Sequence, residues 1–148
     1  MTEFKAGKAG SRRKARELAM QMMYQADVGR QGPDEVKRLF WSAREPVEED
    51  VRGFAEDLFR VVMERATEID ALIDKHAKNW RVERMAAVDR NLMRVAVGEM
   101  LGWSAMPMPV ILNESVEIAR RYSAPESVPF VNGLLDAVSK TVLAERAK

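Results

Sequence analysis

Residues 12–28, RRKARELAMQMMYQADV, place Ala15, Leu18, Ala19, Met22, Met23 and Ala26 along one stripe. Successive offsets of three and four residues bring side chains to the same face of a helix with about 3.6 residues per turn. The stretch therefore predicts an amphipathic helix, with Ser11 as its N-cap and Gly29 or Gly32 as its stop.

The same period recurs downstream. Pro33 suits the first turn of a short helix through Phe40 and Trp41, with Asp34 and Glu35 favourably near its N-terminus. After Pro46, Val51, Phe54, Ala55, Leu58, Val61 and Val62 form one stripe, and Ile69, Leu72 and Ile73 another. A break near Ala66–Thr67, with Thr67 and Asp70 as caps, divides this region into two helices. Met85, Val88, Leu92, Val95, Ala96 and Leu101 predict a helix from about Met85 to Trp103, with Gly98 allowing close packing. Ile111, Leu112, Ser115, Ile118, Ala119 and Tyr122 mark the next. Pro125 and Pro129 bracket a loop, Ser127 is a cap candidate, and Phe130, Leu134 and Val138 open the last helix beside Val131, Leu135 and Val142. No segment alternates as a strand does, so the fold class is all-α with about seven helices.

At 148 residues the chain suits one domain with a proper core. With 47% hydrophobic and 32% charged residues, it has the composition of a folded protein. No apolar run approaches the roughly 18 residues a membrane span requires, and the basic N-terminus lacks the apolar stretch of a secretory signal. The absence of cysteine excludes disulfides and thiolate metal sites and fits a cytoplasmic location. The net charge of +1 conceals an asymmetry. Residues 1–16 hold Lys5, Lys8, Arg12, Arg13, Lys14 and Arg16 against Glu3 alone, so the remainder is acidic. Residues 1–10 read as a flexible basic tail ahead of a single helical domain, and the local positive charge points to a polyanion contact.

Catalytic chemistry has little to stand on. The single histidine, His76, has no second histidine to share a metal and reads as a helix-surface residue between Lys75 and Lys78. There is no phosphate-cradling glycine loop, and the ten methionines fall mostly on core stripes. No cofactor is expected. The first helix is more informative: opposite its buried stripe the wheel places Arg13, Glu17, Met20 and Tyr24, with Arg16 on a flank. Arginines beside an aromatic on a solvent face suit single-stranded RNA, guanidinium groups meeting phosphates and rings stacking on unpaired bases. The alternative at this level is a tyrosine packed on a neighbouring helix with arginines paired to Glu17 or water.

SRRKARELAMQMMY at residues 11–24 resembles the N-terminus of the NusB family: a basic triplet, Ala-Arg-Glu, and an apolar helix reaching a tyrosine. ILNESVEIARRYSAPESVPFVNGLLDAV at residues 111–138 is similar to that family's most characteristic stretch, and AAVDRNLMRVAVGEML at 86–101 to its middle helix. The resemblance spans essentially the whole domain. It implies two small packed helical subdomains and a role in transcription antitermination. It also implies pairing with NusE, a small-subunit ribosomal protein, on the single-stranded boxA element of nascent ribosomal RNA. The pair would act with RNA polymerase and other Nus factors. Carried onto matching positions, it implies RNA contacts by Arg12, Arg13, Lys14, Arg16 and Tyr24, and by Glu126, Phe130 and Asn132 at the last helix. Glu126 stands where some members have aspartate, and an acid beside RNA limits affinity. Phe130 also fits the core stripe with Leu134 and Val138. A NusE surface is expected within residues 68–101, and self-association occurs in some members, so a homodimer is also an expectation.

Two other classes compete. A NusB-like domain precedes some ribosomal RNA cytosine methyltransferases, but this chain has no Rossmann segment and no cysteine nucleophile. A purely protein-binding helical module would not need the basic first helix.

Overall fold

The computed structural model describes residues 9–78 and 80–148, and among them every regular element is helical. The helices are α1 (Ala9–Val28), α2 (Pro33–Ser42), α3 (Glu49–Glu64), α4 (Ala66–Ala77), α5 (Ala87–Gly102), α6 (Met108–Tyr122) and α7 (Ser127–Arg146), with a single 3₁₀ turn at Val82–Arg84. Helices α1, α2 and α3 pack on one another, as do α5, α6 and α7, with α4 lying on α5 and α7. Helix α5 joins the two groups by also packing on α1 and α3. The basic residues Lys5 and Lys8 and most of the expected tail lie outside the described residues.

Local chemistry explains most boundaries. Helix α1 is already formed at Ala9, so Ser11 lies inside it rather than capping it. At its far end Arg30 adopts a left-handed conformation (φ 53°), and the Gln31 N–H returns to the Ala26 carbonyl at 3.2 Å. This six-to-one closure is a Schellman ending with arginine where glycine is usual. Gly29, just before it, has a different constraint: a Cβ there would stand 2.4 Å from the Gln25 carbonyl oxygen. Gly32 is the N-cap of α2, and Pro33 occupies its first turn. The chain breaks between α3 and α4 at Arg65, whose N–H still bonds the Val61 carbonyl at 2.9 Å. Thr67 and Asp70 do not cap α4; Asp70 instead accepts from Arg94 at 2.9 and 3.0 Å. Helix α7 starts at Ser127, so Pro129 sits within its first turn, where its missing N–H costs no intrahelical bond.

The core draws on all seven helices. Leu18, Met22, Phe40, Leu58, Phe59, Ile69, Ile73, Leu92, Met93, Met100, Ile111 and Ile118 are its largest fully buried side chains. Each contributes roughly 1.5–3 kcal/mol by leaving water. Helix α5 is buried almost all round: Leu92, Met93, Val95, Ala96, Val97, Gly98, Glu99 and Met100 are all inside. Gly98 is what lets α3 approach, since a Cβ there would meet Val62 Cγ2 at 2.6 Å.

Candidate nucleic-acid interface

Helix α1 is held by α3, α5 and α6, so its two ends offer different chemistry. Near its start, Lys14 is exposed and Arg12 half-buried. Arg13 reaches Glu114 of α6 through Nε at 3.2 Å and Nη2 at 2.6 Å. The hydrogen bond that Arg13 donates to Glu114 holds its pKa above the ordinary value, against the opposing effect of burial. With 38% of its side chain exposed, Arg13 remains open to a further anion.

Arg16 is different. Its side chain is 2% exposed and donates to both Glu99 oxygens, at 2.8 and 2.7 Å. Its Nη1 stands 3.8 Å from Glu114 as well. The expected flank position is corrected: Arg16 is committed to the core, with no surface to offer a phosphate. Glu17 and Met20, placed on the solvent side by the wheel, are buried too. Glu17 accepts from Arg121 Nη1 at 2.9 Å and from the Tyr122 hydroxyl at 3.1 Å, both from α6. Burial and then Glu17 push the Tyr122 phenol up from its ordinary value. The wheel assumes one buried face, and α1 has neighbours on three sides.

Towards the end of α1, Tyr24 is 41% exposed. It lines a recess of about 440 Å³ with Gln21, Gln25, Val28, Gly29 and Arg44. The turns beneath are pinned to α5. Asp27 receives Arg90, Asn91 and Arg94 at 2.7–3.1 Å. Burial would raise the Asp27 pKa, but hydrogen bonds from Arg90 and Asn91 and the charges of Arg90 and Arg94 outweigh it and leave it lowered.

The α7 candidates do not share one surface. Phe130 is half-buried and lines a recess of about 250 Å³ with Trp80, Arg84, Met85, Ala86, Asp89 and Ser127. Asn132, two residues on and exposed, lines a separate groove between α6 and α7 with Asn113, Val116, Glu117, Arg120, Val128 and Pro129. Phe130 thus packs on the core edge while presenting part of its ring. Glu126 is exposed immediately before α7. His76 Nε2 lies 2.8 Å from the Thr141 hydroxyl, and burial pushes its pKa down.

Sequence reasoning passed over Arg44, Glu114, Arg120, Arg121 and Tyr122. The Arg-Arg-Tyr run at 120–122 repeats the arginine-plus-tyrosine chemistry of α1, which was a readable sign. Among the described residues no group of three or more His, Cys, Asp or Glu side chains gathers to hold a metal, and no helix is long and apolar enough to cross a membrane.

A family model described as the NusB family matches residues 13–140. The chain belongs to the NusB family. It is 57% identical over 141 residues to the transcription antitermination protein NusB of Koribacter versatilis, covering 95% of this chain and 97% of that protein. The protein of the same description from Anaeromyxobacter dehalogenans is 43% identical over 128 residues, 86% of this chain and 89% of its own. Among solved structures, T. maritima NusB superimposes with a TM-score of 0.79 at 29% identity, covering 87% of this chain and 90% of that one. A chain from a crystal structure of antitermination factors NusB and NusE with double-stranded RNA gives a TM-score of 0.81 at 25% identity, covering 89% and 98%. As a NusB family member the protein is a transcription antitermination factor, a regulatory protein and not an enzyme.

Proposed function

We propose that this protein, paired with NusE, binds the single-stranded boxA element of nascent ribosomal RNA. In the cytoplasm it promotes processive transcription within an RNA polymerase complex containing other Nus factors. The observation carrying this reading is the half-exposed Arg13 and exposed Tyr24 on one rigid helix, with Lys14 beside them and Arg121 on the adjoining α6. Phosphates would meet Arg12, Arg13 and Lys14, while an unpaired base stacks on Tyr24. Arg16 supports this face from below rather than touching RNA. Phe130 and Asn132 supply chemistry from their separate recesses, with Glu126 as a limiting acid.

The structural relative crystallised with NusE and double-stranded RNA supports RNA and NusE as partner classes. Trp80, 57% exposed beside the Phe130 recess, supports a protein contact there, because exposed tryptophan is enriched at interface hot spots. The basic patch is small, so tight binding relies on both proteins engaging one RNA.

Fluorescence anisotropy of a labelled single-stranded boxA RNA, with and without NusE and across a salt series, tests this. Selective binding over a scrambled RNA, strengthened by NusE, is expected. Equal affinity for both RNAs, or no gain from NusE, defeats the reading.

A further inference from the structure

Three elements converge at the end of α1 on a feature that the basic triplet does not explain. Tyr24 and Gln25 come from α1, Arg44 from the connection between α2 and α3, and Tyr122 from the end of α6. Gln21 and Arg44 line the Tyr24 recess, and Gln21 Nε2 donates weakly to the Tyr122 hydroxyl at 3.5 Å. Gly29 also lines the recess, where a Cβ would stand 2.4 Å from the Gln25 carbonyl oxygen.

Arg44 is positioned for an anion. Its guanidinium carbon lies 4.0 Å from the centroid of the Phe40 ring, a cation–π contact that fixes the group at the rim. Phe40 is itself 2% exposed, so the platform is part of the core. Partial burial pushes the Arg44 pKa down, with only Tyr122 opposing it. Among the described residues no carboxylate pairs with Arg44, in contrast to Arg13, Arg16 and Arg121, which all hold glutamates. An exposed guanidinium held by a ring and not by a carboxylate keeps its fork of N–H donors for an incoming phosphate.

The other walls suit a base. Tyr24 offers a ring, Val28 an exposed apolar side (51%), and Gln21 and Gln25 offer amides that both donate and accept. A volume of about 440 Å³ is ample for one unpaired nucleotide. Arg13 and Tyr24 are three helical turns apart, about 16 Å along α1.

We propose that Arg44 completes the Tyr24 subsite: the nucleotide whose base stacks on Tyr24 has its adjoining phosphate taken by Arg44 across the recess, not by the basic triplet. This contact extends the RNA track beyond Arg12–Lys14, across α1 to the α2–α3 connection. The subsite rests on the RNA-binding reading above and deepens it. The Gln21 and Gln25 amides give it base preference.

The test is anisotropy of fluorescein-labelled boxA RNA with the full protein and NusE, comparing wild type with Arg44→Ala, Arg44→Lys, Tyr24→Phe, Tyr24→Leu, Arg13→Ala and Arg38→Ala. Arg44→Ala should weaken binding about threefold or more and reduce the slope of log K against log salt by about 0.7, the value for one phosphate on a single strand. Arg44→Lys should recover the slope, and Tyr24→Phe should bind like wild type while Tyr24→Leu does not. Arg38, another exposed arginine on α2, controls for bulk charge and should change affinity less than about twofold. Circular dichroism identifies any variant that loses its fold. Should Arg44→Ala unfold by uncovering Phe40, the tyrosine pair and the lysine variant decide alone. Arg44→Ala binding like wild type while Arg13→Ala is impaired overturns the Arg44 contact and leaves the RNA-binding reading standing. Equal losses for Arg44→Ala and Arg38→Ala overturn it as well. If wild type binds no RNA, the parent reading fails and the subsite with it.

Discussion

Arg16 on α1 and Glu99 on α5 form a two-pronged ion pair at 2.8 and 2.7 Å, with side chains 2% and 0% exposed. Removing one partner strands the other charge in the core. Arg16→Ala or Glu99→Ala should each cost about 3–5 kcal/mol, read as a shifted urea midpoint. The double replacement Arg16→Met/Glu99→Leu should recover much of that loss, because the buried charge disappears with its partner. A double variant no more stable than the singles would show that the pair does more than satisfy itself.

Arg13 is a contrasting case. Its bond to Glu114 is half-exposed, so Arg13→Ala should lower stability by less than about 1 kcal/mol while weakening RNA several-fold. Glu114→Gln should act oppositely on RNA, since phosphate would no longer compete with a carboxylate for the same guanidinium. Anisotropy at low salt, paired with thermal melts, separates the two effects. Tighter binding by Arg13→Ala would remove Arg13 from the RNA face.

Gly98→Ala should destabilise the protein by about 1–3 kcal/mol, because the new methyl meets Val62 Cγ2 at 2.6 Å. Combining it with Val62→Ala should return part of the loss. A cycle without such coupling would place the penalty elsewhere.

Acid stability should report on Asp27. Arg90, Asn91 and Arg94 hold its pKa below the ordinary 3.8 despite burial. A carboxyl with a lowered folded-state pKa contributes stability that is fully present above the unfolded value and is lost as pH falls through the folded one. Stability should therefore drop below about pH 3.8, and Asp27→Asn should flatten that limb. An unchanged acid limb would assign the loss to other carboxylates.

What could be read in the sequence follows from how far each interaction reaches. The stripes of α3, α5, α6 and α7 are local patterns and point to residues that line the core, except Tyr122 of the α6 stripe, which is 37% exposed. The α1 stripe also lines the core, yet the helical wheel turns Glu17 and Met20 outward and Arg16 to a flank, and all three are buried. Arg16 is held inside by Glu99, and Glu17 by Arg121 and Tyr122, partners 83, 104 and 105 residues away that no helical wheel includes. Phe130 and Asn132 look like one motif in sequence, but two helical positions differ by about 200° and so open onto different recesses. Arg44 has a local partner in Phe40, four residues earlier, but its recess companions come from α1, which no local pattern brings to it.

The helix that carries Arg13 and Tyr24 is also a beam of the core, with Ala15, Leu18, Ala19, Met22 and Met23 buried and Asp27 bolted to α5. The backbone beneath such a surface is held by buried contacts and has little freedom left to lose on binding. The loss of freedom on forming a complex falls on the nucleic acid. Two RNAs with identical contacts would then be told apart by how cheaply each strand leaves its own stacked conformations, so the protein acts as a fixed template that selects for pliancy.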